Sequence, residues 1–108
     1  MNMKDYQTQA SKTAIYPECD VITYPALGLV SEAGEVAGKV KKVLRDHSGQ
    51  FLPEQREAIA DEVGDCLWYI ASLATDLGMG MEEIAQRNLD KLNSRMARGV
   101  LGGSGDNR

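Results

Sequence analysis

Two stretches of this chain repeat one pattern, and the repeat leaves little choice of fold. The first is Leu29-Val30-Ser31-Glu32-Ala33-Gly34-Glu35-Val36, and the second is Ile59-Ala60-Asp61-Glu62-Val63-Gly64-Asp65-Cys66. The match continues downstream, where Val40, Val43 and Leu44 correspond to Ile70, Leu73 and Ala74. In both copies the apolar positions fall at i, i+4, i+7, i+11, i+14 and i+15. That spacing marks one face of an α-helix and fits no strand. Glu32 and Glu62 lie at one edge of the stripe, and Glu35 and Asp65 lie further round on the same side. Residues at i and i+3 are neighbours on a helix surface. Each helix therefore carries a carboxylate pair on one flank of its apolar seam. If the two seams pack antiparallel, the pairs face one another.

Such a meeting is unfavourable without a cation. Two carboxylates about 5 Å apart repel by roughly 3 kcal/mol at an effective dielectric near 20. A hard divalent ion with oxygen ligands, Mg2+ above all, converts that repulsion into a binding site. The alternative is that these are ordinary solvated surface acids. The same placement on the same flank in both copies favours the site. Gly34 and Gly64 stand in mid-helix, where each costs about 1 kcal/mol against Ala. They suggest close approach of a backbone or ligand beside the acids, or a packing role.

Glu-x-x-Glu followed, after 26 intervening residues, by Glu-x-x-Asp on a second helix resembles the MazG-like nucleotide pyrophosphohydrolases of the all-α NTP pyrophosphatase superfamily. The resemblance covers roughly residues 5 to 98. It implies that Glu32, Glu35, Glu62 and Asp65 hold Mg2+, with Mn2+ as a substitute, and act in cleaving a nucleoside triphosphate to the monophosphate and pyrophosphate. One departure is visible: many members open the first motif with two adjacent acids, where this chain has Ser31-Glu32.

The chain has 108 residues, a net charge of −4 and 43% hydrophobic residues. That length gives one domain with a thin core. The chain has one Phe and one Trp, so aliphatic side chains must fill most of the interior. No basic stripe marks a nucleic-acid polymer as partner, and metal can carry the charge of a nucleotide. No apolar run reaches the roughly 20 residues a membrane span needs, and no signal peptide is expected. Cys19 and Cys66 lack metal or redox spacing. A reducing cytoplasm fits best.

Four helices are predicted. The first covers about Met3 to Ala14 and is broken at Tyr16-Pro17. Val21 to Pro25 is an apolar connector, with Pro25 in the first turn of a second helix that runs to Arg45. The loop Asp46-His47-Ser48-Gly49-Gln50 follows, and its lone histidine is read as solvated. A third helix covers Pro53 to Leu77 and stops at Gly78. A fourth covers Met81 to Arg98. Residues 99–108 are Gly-rich and form a flexible tail outside the domain at 1–98.

On the fourth helix Asn88, Lys91 and Arg95 share one flank. Lys91 offers a point charge and Arg95 a planar fork for phosphate oxygens, and otherwise all three are surface polar residues. Asn88-Leu89-Asp90-Lys91 resembles the Asn-x-x-Lys segment that follows the second acidic motif in the family, which brings the phosphate role for Asn88 and Lys91 level with the surface reading. Lys39 could grip a phosphate, but an i, i+4 ion pair with Glu35 is the preferred reading. Tyr69, at the corresponding place in the second copy, could stack on a base, bond a phosphate or pack. Tyr6, Tyr16, Tyr24 and Tyr69 form the pool of base-stacking residues. By helical phase Trp68 points to the opposite face, suited to a subunit contact.

The fold class that follows is all-α, a four-helix bundle-like domain with the second and third helices as its central antiparallel pair. A homodimer or homotetramer is expected. Two rival functions stand beside the triphosphate pyrophosphohydrolase. One is a phosphoribosyl-ATP pyrophosphatase-like sister enzyme, and the other is a non-enzymatic metal-binding helical interaction module.

Overall fold

The computed structural model describes residues 1–108 and contains four α-helices and no strand. α1 spans Met3–Ser11, α2 Thr23–Asp46, α3 Pro53–Asp76 and α4 Met81–Ala97, with a short 3-10 turn at Glu18–Asp20. Local chemistry sets these limits. The Asn2 side chain accepts a hydrogen bond from the Asp5 N–H at 2.8 Å and caps α1. α1 stops three residues short of the expected Ala14, because Lys12, Thr13 and Ala14 each donate back three residues in 3-10 fashion. Pro53 opens α3, where its missing N–H costs nothing. Gly78, at φ +72°, closes α3, with the Met79 N–H on the Ala74 carbonyl at 2.9 Å.

α2 and α3 form the central pair and pack extensively along their lengths. α1 lies on α3, and α4 leans on α1 and touches the end of α3. The core at that junction is Ala10, Ala71, Ala74 and Met81, with Tyr6, Leu67, Trp68 and Ile84 packed around it. Gln7 locks the junction: its amide donates to the Met79 carbonyl at 2.9 Å and to Thr75 Oγ1 at 3.0 Å, and it accepts from the Met81 N–H at 3.0 Å. Trp68 lies on another face of α3 than the acids, as helical phase predicts, and that face packs against α1. Its indole N–H donates to Thr13 Oγ1 at 2.8 Å. Phase locates a face on a helix, but the first helix covers a second face of α3, which phase alone does not reveal.

The fold is open. Only eight residues are buried. The Cα radius of gyration is 16.8 Å, whereas a compact domain of this length has about 13 Å. Val30, Leu44 and Val63 on the central pair are exposed, as are Leu89 and Met96 on α4. No helix is long and apolar enough to cross a membrane.

Candidate metal and nucleotide site

The α2–α3 contact is rotated from the expected seam, and the rotation carries acids into it. On α2 the half-buried or buried positions include Gly28, Leu29, Glu32, Val36, Lys39, Val40 and Val43. On α3 they include Gln55, Ala58, Ile59, Glu62, Cys66, Tyr69 and Leu73, while Leu67, Trp68, Ala71 and Ala74 belong to the core formed with α1. Ala33, Leu44, Val63 and Ile70, which the sequence placed in the seam, are exposed. Carboxylate oxygens of Glu32, Glu62 and Asp65 lie within 4.8 Å of one another. Glu35 is exposed and stands outside this group of three.

The cluster is electrostatically loaded. The Glu32 carboxyl titrates above the ordinary range. Loss of water contact is the largest cause, followed by a hydrogen bond to Glu62 and the charges of Asp65, Glu62 and Glu35. Lys39 relieves part of the load. Its Nζ lies 3.2 Å from Glu62 Oε1 and donates to the Ala58 carbonyl at 3.4 Å. The ion pair expected with Glu35 on the same helix is thus made across the seam, with Glu62. Three oxygens in this spread are the right type and number to enter the shell of one small divalent cation, whose ligands stand 2.0–2.6 Å from the ion.

Tyr69 borders the acids. Burial is the first cause of its raised pKa, the hydrogen bond to Tyr24 the second, and the charges of Glu32 and Asp65 contribute. Its ring packs over the backbone of Gly28, where a Cβ would collide with it. An aromatic series continues outward. The Tyr24 and Tyr69 ring centres are 6.2 Å apart, and Tyr16 stacks on Tyr24 at 4.9 Å. Tyr16, Tyr24 and Trp68, with Thr13, Ile15 and Pro17, line a hollow of about 200 Å³. The sequence named the tyrosines but not the hollow, and Gly28 was not singled out. The signal lay in Gly28 and Tyr69 being a glycine and a ring on facing seams. Tyr6 sits against the core, its pKa raised by burial and by the charge of Asp65.

The flank of α4 stands apart. Asn88 and Lys91, with Ile84 and Arg87, line another hollow of about 330 Å³. Arg95 is buried and donates to the Asp106 carbonyl at 2.9 Å, and the Asp106 carboxylate lies 3.7 Å from Arg95 and 3.8 Å from Lys91. Gly34 and Gly64 have no atom within 4 Å of a built Cβ. The close approach inferred for them does not occur within one chain.

The sequence pattern of the MazG nucleotide pyrophosphohydrolase domain matches residues 24–99. The chain belongs to that family. The matched span of this MazG domain takes in α2, α3 and α4 and leaves out α1. Along its whole length this MazG-family chain is also 51% identical to the Gene 37 protein of Mycobacterium phage L5, over 114 residues and 100% of both chains. No solved structure matches it.

Proposed function

We propose that this MazG-family chain is a Mg2+-dependent nucleoside triphosphate pyrophosphohydrolase. It would cleave a (deoxy)nucleoside triphosphate between its α and β phosphorus atoms, giving the monophosphate and pyrophosphate. The observation that carries the reading is the convergence of Glu32, Glu62 and Asp65 from two helices on one point. Glu32, Glu62 and Asp65 would hold the cation. Glu35, one turn from Glu32 on the exposed flank, would complete the set from outside. Bound there, Mg2+ supplies charge neutralisation for the phosphate oxygens and makes a nearby water more acidic. The carboxylate least engaged with the ion would accept the proton of the attacking water.

The remaining roles follow from position. Tyr69 and the hollow beyond it would take the base, since stacking on an aromatic tolerates any base. Lys39, already beside Glu62, would exchange its carboxylate for a phosphate oxygen once the metal arrives. Asn88, Lys91 and Arg95 would hold phosphate from α4. Within one chain α4 makes no extensive contact with α2, so that role requires a second copy. The open shape and the exposed stripes on α2, α3 and α4 support a homodimer or homotetramer that closes the site. Clearing unwanted or surplus nucleotides in the cytoplasm is the biological sense of this reading.

Pyrophosphate release, measured across ribo- and deoxynucleoside triphosphates with and without Mg2+, tests it. Release that requires Mg2+ supports the proposal. Activity confined to phosphoribosyl-ATP favours the sister enzyme, and metal binding without turnover of any of these favours an interaction module.

A further inference from the structure

Between the last turns of α2 and the first turns of α3 lies a cavity of about 120 Å³, lined by Lys39, Lys42, Val43, His47, Gln55 and Ala58. The volume is about that of four waters in the liquid and well below the roughly 300 Å³ at which organic-ligand pockets begin. A phosphoryl group fits there. Its lining has two lysines, the chain's one histidine and no acid. The positive end of the α3 dipole adds to that potential. Gln55 Oε1 is buried without a partner, while its NH2 group donates to Glu54 Oε1 at 3.3 Å.

Position matters as much as charge. Lys39 lines this cavity and also pairs with Glu62, so cavity and acids are continuous. Along α3 the order is Gln55 and Ala58, then Glu62 and Asp65, then Tyr69. Along antiparallel α2 it is His47, Lys42 and Lys39, then Glu32, then Gly28 and Tyr24. One groove therefore carries cations at one end, carboxylates in the middle and aromatic rings at the other. From Ala58 to Tyr69 the rise is about 16 Å. Ala58 lies one turn, about 6 Å, from Glu62, the reach of two phosphoryl groups beyond a bond held at the acids.

We propose that the Lys39–Lys42–His47–Gln55 cavity is the subsite for the terminal phosphate of the substrate, which fixes the triphosphate's direction along the groove. The proposal rests on the nucleotide reading of the acid cluster. The cavity holds the end of the pyrophosphate that leaves, while the monophosphate stays towards Tyr69.

The test uses the full chain with Lys42→Gln and His47→Gln combined, leaving Lys39 and the acids intact. Calorimetry with pyrophosphate in the presence of Mg2+, with inorganic phosphate and with a nucleoside monophosphate reads each end of the groove. The expected result is a rise of roughly tenfold or more in the Kd for pyrophosphate and in the KM for a triphosphate. Monophosphate and Mg2+ affinity, and the helical circular dichroism, stay at the parent's values. Inorganic phosphate binds the parent more weakly than pyrophosphate, because it lacks the anchor at the acids, and equal binding overturns the orientation. Monophosphate binding that weakens as much as pyrophosphate binding also overturns it. Pyrophosphate binding that the variant loses, in a parent that hydrolyses no triphosphate, upholds an anion subsite and sinks the enzymatic reading. Hydrolysis with unchanged pyrophosphate binding in the variant sinks the subsite and leaves the enzymatic reading standing.

Discussion

The ammonium group of Lys39 on α2 lies 3.2 Å from the carboxylate of Glu62 on α3, inside the cluster that Glu62 forms with Glu32 and Asp65. A lysine there and a divalent cation compete for the same oxygen. Replacing Lys39 by Gln removes the competitor. At the solvent-weighted end of the dielectric range that is worth about 1 kcal/mol. The Kd for Mg2+ is expected to fall roughly fivefold, measured by calorimetry. Without metal, the same variant is expected to lose up to about 1 kcal/mol of stability in urea, because Glu62 is left beside two other acids.

Gly28 and Gly34 stand on the same helix but should respond in opposite ways to Ala. A Cβ at Gly28 meets the Tyr69 ring, and crowding of that kind costs about 1–3 kcal/mol. A Cβ at Gly34 meets nothing within 4 Å, so Gly34→Ala should gain about 1 kcal/mol from helix propensity. Urea unfolding of the two variants checks the sign of each. If Gly34→Ala stabilises the fold and also lowers turnover, the space at Gly34 is kept for something outside the chain's own core.

The contrast shows where sequence reading reached and where it stopped. The four helices were legible because their ends carry local signals: Pro53, Gly78, and the acids Glu82 and Glu83. The acids were legible because Glu32 and Glu62 recur in one motif. The rotation of the seam was not. It depends on α1 occupying the Ala71, Ala74 and Trp68 side of α3, and on Gly28 admitting the Tyr69 ring to α2. Both are contacts between residues distant in sequence, so no window along one helix contains them. The cation cavity was missed for the same reason: His47 looked like a lone loop residue until α3 brought Gln55 and Ala58 to it.

Tyr16 ties the connector after α1 to the end of α3. Its hydroxyl donates to Asp76 Oδ2 at 2.8 Å, and the same oxygen accepts from the Ile22 N–H at 2.9 Å. Burial, then the hydrogen bond to Asp76 and its charge, push the Tyr16 pKa up to about 12. The unfolded chain loses that proton near pH 10. The folded state therefore holds more protons between the two values, and stability falls as pH rises from about 10 to 12. Below pH 10 the contribution is fully present. Tyr16→Phe should lower stability at neutral pH by about 1 kcal/mol and flatten its decline through that alkaline window, read by urea midpoints at each pH.

Calorimetric titration of Mg2+ into the parent and into Asp65→Asn tests the central claim most directly, because Asp65 is an exposed member of the cluster whose loss should not disturb the core. The parent is expected to bind Mg2+ saturably and to gain thermal stability as it does so. Asp65→Asn should stay folded without metal, bind Mg2+ at least tenfold more weakly and lose most of that thermal gain. Equal Mg2+ affinity and equal thermal gain in parent and variant would contradict a site built from Glu32, Glu62 and Asp65.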